Sequence, residues 1–580
     1  SNRVTNTYFA KNIDKTYLKL SNNNAYLEVG NTADLTASYD NGFNVANYEQ
    51  KLGNVTYKSS DEDIATVDNF GKVTAKSRGY ATIIAEDTTN GYRAQSIINV
   101  ISKRATALPM VVSGTTFTAY LKEDGTVWTS GAGANGVLGN GSSVNTNIPN
   151  QVKISTNEYL TDIRKISVGT EHVIALRKDG TVWAWGLNSS GQLGDGTTTN
   201  SLYAIKVKDT EENKYLENVI DIATGLDFSL ALLSDGTAYG WGDAASYALG
   251  TNSTSDPKLP IKIHDGDNII QMQGGTDTTV VLKGDGTVWA TGLGTSGQIG
   301  DDTNTTRAEL VPVINDTKDN ILSGIVKIVS GSHHTIALKE DKTAVIWGYN
   351  TNGQLGINST TTTKSPTSLK NVGNTDIMQN ISNIGTGPNS TYIEDKDGNV
   401  DATGLNTTGQ LSLGTKTSVK IFTAVKDEDG NNLTNVATLG VSRGTTYGFV
   451  FDDGTVGVTG LGTSGQHGNS TYVDSSRITK IQDANIYTDD LYEIAVSESA
   501  KINVQLKQGF NLNIDNSADI TLGTLKYTSL DEDVVQVSED GTIKGIAEGT
   551  TGVKVQDETN GLETVVQVIV GKRDFSNIYK

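Results

Sequence analysis

Apolar and polar residues alternate with a period of two over short runs along most of the chain, and the runs are separated by Gly, Asp and Asn. In "HVIALRKDGTVWAWG" (172–186) an apolar run, an Asp-Gly turn and a second alternating run predict a hairpin. A third strand follows a "GQLG" loop, as in "YAIKV", "LPIKI" and "LVPVI". A fourth precedes the next copy's first glycine, as in "IRKISVG", "VIDIATG" and "IVKIVSG". The pattern predicts almost no helix.

The hairpin recurs. Its turn aspartates are Asp124, Asp179, Asp235, Asp285, Asp341, Asp397 and Asp453, spaced by 55, 56, 50, 56, 56 and 56 residues. Ten residues before these stand Gly114, Gly169, Gly225, Gly275, Gly331 and Gly387, and only Arg443 breaks the row. Seven residues after them the row is complete, from Gly131 and Gly186 to Gly460. Glycines at so fixed a spacing serve turns and close backbone approach rather than a phosphate, which would need one such loop opening a helix. Four strands in each of seven copies describe a β-propeller.

Motifs such as "HHTIALKEDKTAVIWGYNTNGQLGIN" resemble the repeats of the regulator of chromosome condensation family, over about Thr106 to Asp483. That resemblance implies a seven-bladed propeller. Copies six and seven lack tryptophan, and "GQLSLG" in copy six reads as carrying an extra residue. Outside the propeller, Val55–Val100 aligns without a gap, at an offset of 470, with Leu525–Val570. Both stretches are similar to bacterial Ig-like group 2 domains, which implies a cell-surface setting. The expected architecture is all-β: an Ig-like β-sandwich (1–103), a seven-bladed propeller (104–486) and a second Ig-like sandwich (487–580), with Leu491–Ser497 assigned to the second sandwich.

Composition narrows the function. With 46 basic against 66 acidic residues the formal net charge is −20, which disfavours nucleic-acid binding. The chain has no cysteine, so disulfides and thiolate chemistry are absent. No apolar run approaches the ~20 residues of a membrane span, so membrane insertion is not expected. The chain opens at Ser1 without a charged-then-apolar segment, which reads as a mature or excised portion of a bacterial extracellular protein.

No catalytic group is assigned, and an enzyme is not expected. His172 and His334 hold one repeat position and read as packing residues, as do Trp128, Trp183, Trp185, Trp241, Trp289 and Trp347. Asp61/Asp63 and Asp531/Asp533 read as turn residues. The alternating oxygens of "EDKDGNVD" (394–401) and "KDEDGNN" (426–432) would suit calcium, but Asp397 is the hairpin aspartate shared by all copies, and no cofactor is expected. The connections between the third and fourth strands vary in length and charge while the hairpins stay constant. They predict an acidic rim on one propeller face: Asp209, Glu211, Glu212, Asp265, Asp267, Asp316, Asp319, Asp427, Glu428 and Asp429. The expected role is a non-catalytic surface or secreted protein that binds a protein or glycan. The alternatives are a secreted inhibitor resembling propeller inhibitors of beta-lactamases, and a nucleotide-exchange regulator.

Overall fold

The computed structural model describes residues 16–40, 50–210, 214–264, 268–371, 376–481, 484–489, 491–508, 510–513, 522–559 and 562–571. It is all-β: among the described residues the helical segments are two three-residue 3-10 turns, Ala134–Gly136 and Ala245–Tyr247. Two compact units result, Ser1–Ile481 with Leu512–Ile514, and Gln482–Asn511 with Asp515–Lys580.

The repeats form four-stranded antiparallel sheets. In copy two, Ile163–Val168 is innermost and is followed outward by His172–Arg177, Val182–Gly186 and Ser201–Lys206. The strand that precedes each first glycine therefore opens its own sheet instead of completing the previous one, because Ile163 pairs with Arg177 across the turn. Copies three, four, five and seven give further separate four-stranded sheets. Copies one and six are joined into one nine-stranded sheet by Val441–Ser442, which pairs in parallel with Met110–Ser113 on one side and Ile381–Gly387 on the other.

The glycine that recurs seven residues past each turn aspartate is structural. Gly186 has φ +101°, and a Cβ there would lie 2.4 Å from the Glu171 carbonyl oxygen. "GQLSLG" holds no insertion. Ser412 takes the place of Gly194, with φ +54° and its N–H on Gly409 as Gly194 N–H is on Gly191.

Neighbouring sheets are locked by the residues read as packing groups. Trp185, Trp241 and Trp347 are fully buried and donate through Nε1 to the carbonyls of Val137, Gln192 and Gln298 in the preceding copy, at 2.9, 2.9 and 3.1 Å. His172 Nε2 meets Ser229 Oγ at 3.1 Å and His334 Nε2 meets Thr391 Oγ1 at 2.9 Å, each in the following copy. Where copies six and seven lack tryptophan, the buried rings of Tyr392 and Tyr447 stack with centroids 3.5 Å apart.

These histidines make the fold acid-sensitive. Burial, aided by the Arg443 charge, drops His172 to about 3, and burial aided by His333 does the same to His334. Burial holds His467 at about 4 against the pull of Asp474. The folded chain refuses protons that the unfolded chain accepts below pH 6.5, so stability falls as pH drops from 6.5 toward 4, by up to about 1.4 kcal/mol per pH unit for each histidine. A His172→Asn variant should show a shallower decline of melting temperature over that window; a slope equal to wild type would contradict the assignment.

The N-terminal module has a sheet of Asn24–Glu28, Tyr92–Ile101, Gly79–Asp87 and Val55–Ser59, in that order, faced by Thr32–Asp34, Lys72–Ala75 and Ala65–Val67. The second unit repeats this order with Leu491–Ala495, Leu562–Gly571, Gly549–Asp557 and Leu525–Ser529, and with Ser499–Lys501, Thr542–Gly545 and Val535–Val537. Leu491 thus begins a strand of that unit. Turn aspartates serve both modules: Asp61 Oδ1 accepts from Asp63 N–H and Asp531 Oδ1 from Asp533 N–H. Buried Asp87 and Asp557 hold Gly53 and Gly523 in the same way.

Candidate functional site

The strand order gives the repeats two faces. One carries the Asp-Gly turns and the connections from each outer strand to the next inner strand; the other carries the first-glycine turns and the "GQLG" loops. The N-terminal module sits on the Asp-Gly face. Asn24 Nδ2 donates to the Ile220 carbonyl at 3.0 Å, Gln95 Nε2 to Ile325 at 3.0 Å and Thr82 Oγ1 to Val326 at 3.2 Å. Glu340 in the copy-five turn is clamped by Arg93 at 2.8 Å and Lys58 at 3.0 Å. Burial pushes Glu340 up, but these two cations outweigh it and hold the carboxyl below its ordinary value. Lys342–Asp61 (3.3 Å) and Arg78–Glu123 (3.0 Å) add two further ion pairs.

Between the module and the innermost strands lies a cavity of about 690 Å³. Its floor is one repeat position, fourteen residues before the turn aspartate in copies one to six and one residue further back in copy seven: Met110, Lys165, Asp221, Gln271, Lys327, Asn383 and Thr438. Its roof includes Tyr26, over which the Arg164 guanidinium sits at 4.5 Å, and Tyr80, which Lys327 approaches to 5.3 Å. Lys165 pairs with Asp221. Lys327 donates to Asn383 Oδ1 at 2.7 Å, and Asn383 Nδ2 to Glu394 at 3.3 Å. Burial lowers Lys327 to about 8 and raises Glu394 to about 7, each opposed by the other's charge.

Deeper in the channel Arg443 is 6% exposed. Its guanidinium donates to the carbonyls of Thr224 and Gly274 at 2.7 Å each and of Ser330 at 3.3 Å, one repeat position in three successive copies. The residue that broke the glycine row thus spans the channel.

The opposite mouth is acidic. Glu171, Asp227 and Asp277 occupy one position in copies two to four. Burial raises Asp227, with Asp243 and Glu171 adding to it against a Thr170 hydrogen bond; burial with Asp243 and Asp227 raises Asp277. Sequence reasoning did not single out this position, although its three successive acidic residues were visible in the repeat.

Of the predicted acidic rim, Glu211, Glu212, Asp265 and Asp267 lie outside the described residues. Asp209, Asp316, Asp319, Asp427, Glu428 and Asp429 lie on connections that end against Asp-Gly turns, as Val219 N–H does on the Gly180 carbonyl, so they share the face that bears the N-terminal module. Several are engaged locally: Asp316 accepts from Ser368 Oγ, Asp319 from Thr317 and Asn315, and Asp427 from Asn431 N–H. In the 394–401 stretch Asp395 accepts from Asp397 N–H and Asn399 N–H, which is turn geometry. No group of three or more His, Cys, Asp or Glu among the described residues is placed to hold a metal ion, and no helix among them is long and apolar enough to cross a membrane.

Comparison with known proteins agrees with this architecture. The chain is 28% identical over 298 residues to the ultraviolet-B receptor UVR8 of Arabidopsis thaliana, which is 51% of this chain and 64% of the receptor. It is 28% identical over 308 residues to the human E3 ubiquitin-protein ligase HERC2, 51% of this chain and 6% of the ligase. The chain thus spans less than two thirds of either curated relative. The crystal structure of Prp20p from Saccharomyces cerevisiae, reported with that protein's binding to Gsp1p and histones, superposes with a TM-score of 0.52 at 22% identity, over 65% of this chain and 90% of Prp20p. That likeness bears on the fold alone. Residues 16–95 match the bacterial Ig-like domain (group 2). Residues 75–382, more than half of the chain, match the RCC1-like domain, and the chain belongs to that family.

Proposed function

We propose that this chain is a non-catalytic binding protein of the bacterial cell surface or of the secreted space: a seven-bladed propeller over 104–486, preceded by an Ig-like sandwich over 1–103 and followed by a second over 487–580. Its partner is a protein or a glycan. The observation that carries the reading is the unequal treatment of the two propeller faces. The Asp-Gly face is occupied at its centre by the N-terminal module, so the opposite mouth, with Glu171, Asp227 and Asp277, is presented outward. Burial and neighbouring carboxylates raise Asp227 and Asp277, so a partner that places Lys or Arg side chains there gains both contact and relief of repulsion. Relatives with a repeat of this kind include a receptor and a ligase, which supports a protein partner.

The test is a binding screen of the full chain against surface glycoproteins, glycans and beta-lactamases, followed by two charge-neutralised variants of the hit. Glu171→Gln with Asp227→Asn and Asp277→Asn should slow association, most at low salt. Asp427→Asn with Glu428→Gln and Asp429→Asn asks the same of the rim. Loss in the second variant with none in the first would move the site to the rim; a beta-lactamase as the hit would make the protein an inhibitor.

A further inference from the structure

The chamber beneath the N-terminal module has features that packing does not account for. Its volume, about 690 Å³, falls in the range of small-molecule sites, roughly 300–1,000 Å³. Six basic and four acidic side chains line it, in a chain whose net charge is −20. The floor position also breaks the rule of the repeat. Positions used for turns hold one residue type in nearly every copy, whereas this one changes chemistry from copy to copy.

Two of the floor residues have donors to spare. Lys165 is neutralised by Asp221, but Lys327 makes no ion pair among the described residues, and its bond to Asn383 engages one of its three N–H groups. Gln271, at the same position in the preceding copy, is 7% exposed and accepts from Ile328 N–H through Oε1 at 3.0 Å. Its amide nitrogen takes no partner among the described residues. An amide nitrogen without a partner and a half-buried ammonium with N–H groups to spare, both lining one chamber, suit an acceptor there, and a charged one gains most. We propose that the chamber is a binding site for a small organic acid, whose carboxylate lies between the Lys327 ammonium and the Gln271 side-chain amide. The Tyr26 and Tyr80 rings in the roof cover the hydrocarbon part of such a ligand, and water fills the polar chamber when it is absent.

The experiment is isothermal titration of the full chain with succinate and with citrate at neutral pH and low salt, with inorganic phosphate as the comparison anion. One site per chain is expected for at least one of the two acids. Lys327→Gln should weaken it about tenfold or more, as loss of a charged hydrogen bond does. Gln271→Glu, which sets a carboxylate against the ligand, should do the same, while Lys318→Gln on the exposed rim should leave it unchanged. Near-ultraviolet circular dichroism checks that each variant is folded, and if Lys327→Gln is not, Gln271→Glu decides alone. No saturable binding of either acid at millimolar concentration, undiminished affinity in the folded Lys327 or Gln271 variant, or tighter binding of phosphate than of both acids overturns the proposal.

Discussion

Gly186→Val is expected to lower the stability of the propeller by about 3 kcal/mol, near the upper range for single substitutions. Two effects add. At φ +101° any Cβ is strained, which costs about 1–2 kcal/mol, and this Cβ would sit 2.4 Å from the Glu171 carbonyl, a backbone atom that cannot rotate away. Gly196→Ala separates the two terms, because its φ is +82° but the nearest atom to an added Cβ is a side-chain carbon 3.5 Å away. Thermal unfolding should therefore rank wild type above Gly196→Ala and that above Gly186→Val. Equal melting temperatures for the two variants would show that strain alone matters and that the close approach is relaxed at little cost.

Arg443→Glu should be comparably damaging. The three carbonyls that receive the guanidinium present partial negative charge, and the site is 94% shielded from solvent, as the 6% exposure of Arg443 implies. A carboxylate there meets repulsion from the same atoms and keeps its desolvation penalty, so a loss of about 3 kcal/mol or more is expected. Arg443→Met is the milder variant: it strands the carbonyls but also removes a buried charge, and the two partly cancel. It carries a separate reporter. Arg443 is one of the causes that depress His172, so in the Met variant the His172 pKa should rise from about 3, observable by NMR titration. An unmoved His172 would place the guanidinium elsewhere.

The all-β propeller was legible because its determinants are local. Asp-Gly turns, positive-φ glycines and alternating runs each declare themselves within a few residues and then repeat. The start of a repeat unit was not legible, since a period fixes spacing but not phase. Only the pairing of Ile163 with Arg177 shows which sheet the strand opens. Ser412 was misread as part of an insertion because serine rarely fills a left-handed position. The chamber was not legible: Lys165, Asp221, Gln271, Lys327 and Asn383 hold one repeat position, but they lie more than 200 residues apart end to end and only the fold brings them round one channel. Arg443 was visible as an exception, but its partners are backbone carbonyls, which no sequence displays. The acidic rim was legible as charge on variable loops, and its role rests on the binding experiment.

The short parallel strand Val441–Ser442 has a consequence for how such a chain can grow. Each copy draws its four main strands from one uninterrupted stretch of about 56 residues, so a tandem duplication adds or removes a complete four-stranded unit. The strand that ties the first copy to the sixth, however, occurs among the described residues only in the last copy and spans a single gap. Any lineage that gained or lost a repeat had to do so upstream of it, keeping the final copy final, and the genes of such proteins should show exchange among interior repeats while the terminal one is inherited in place.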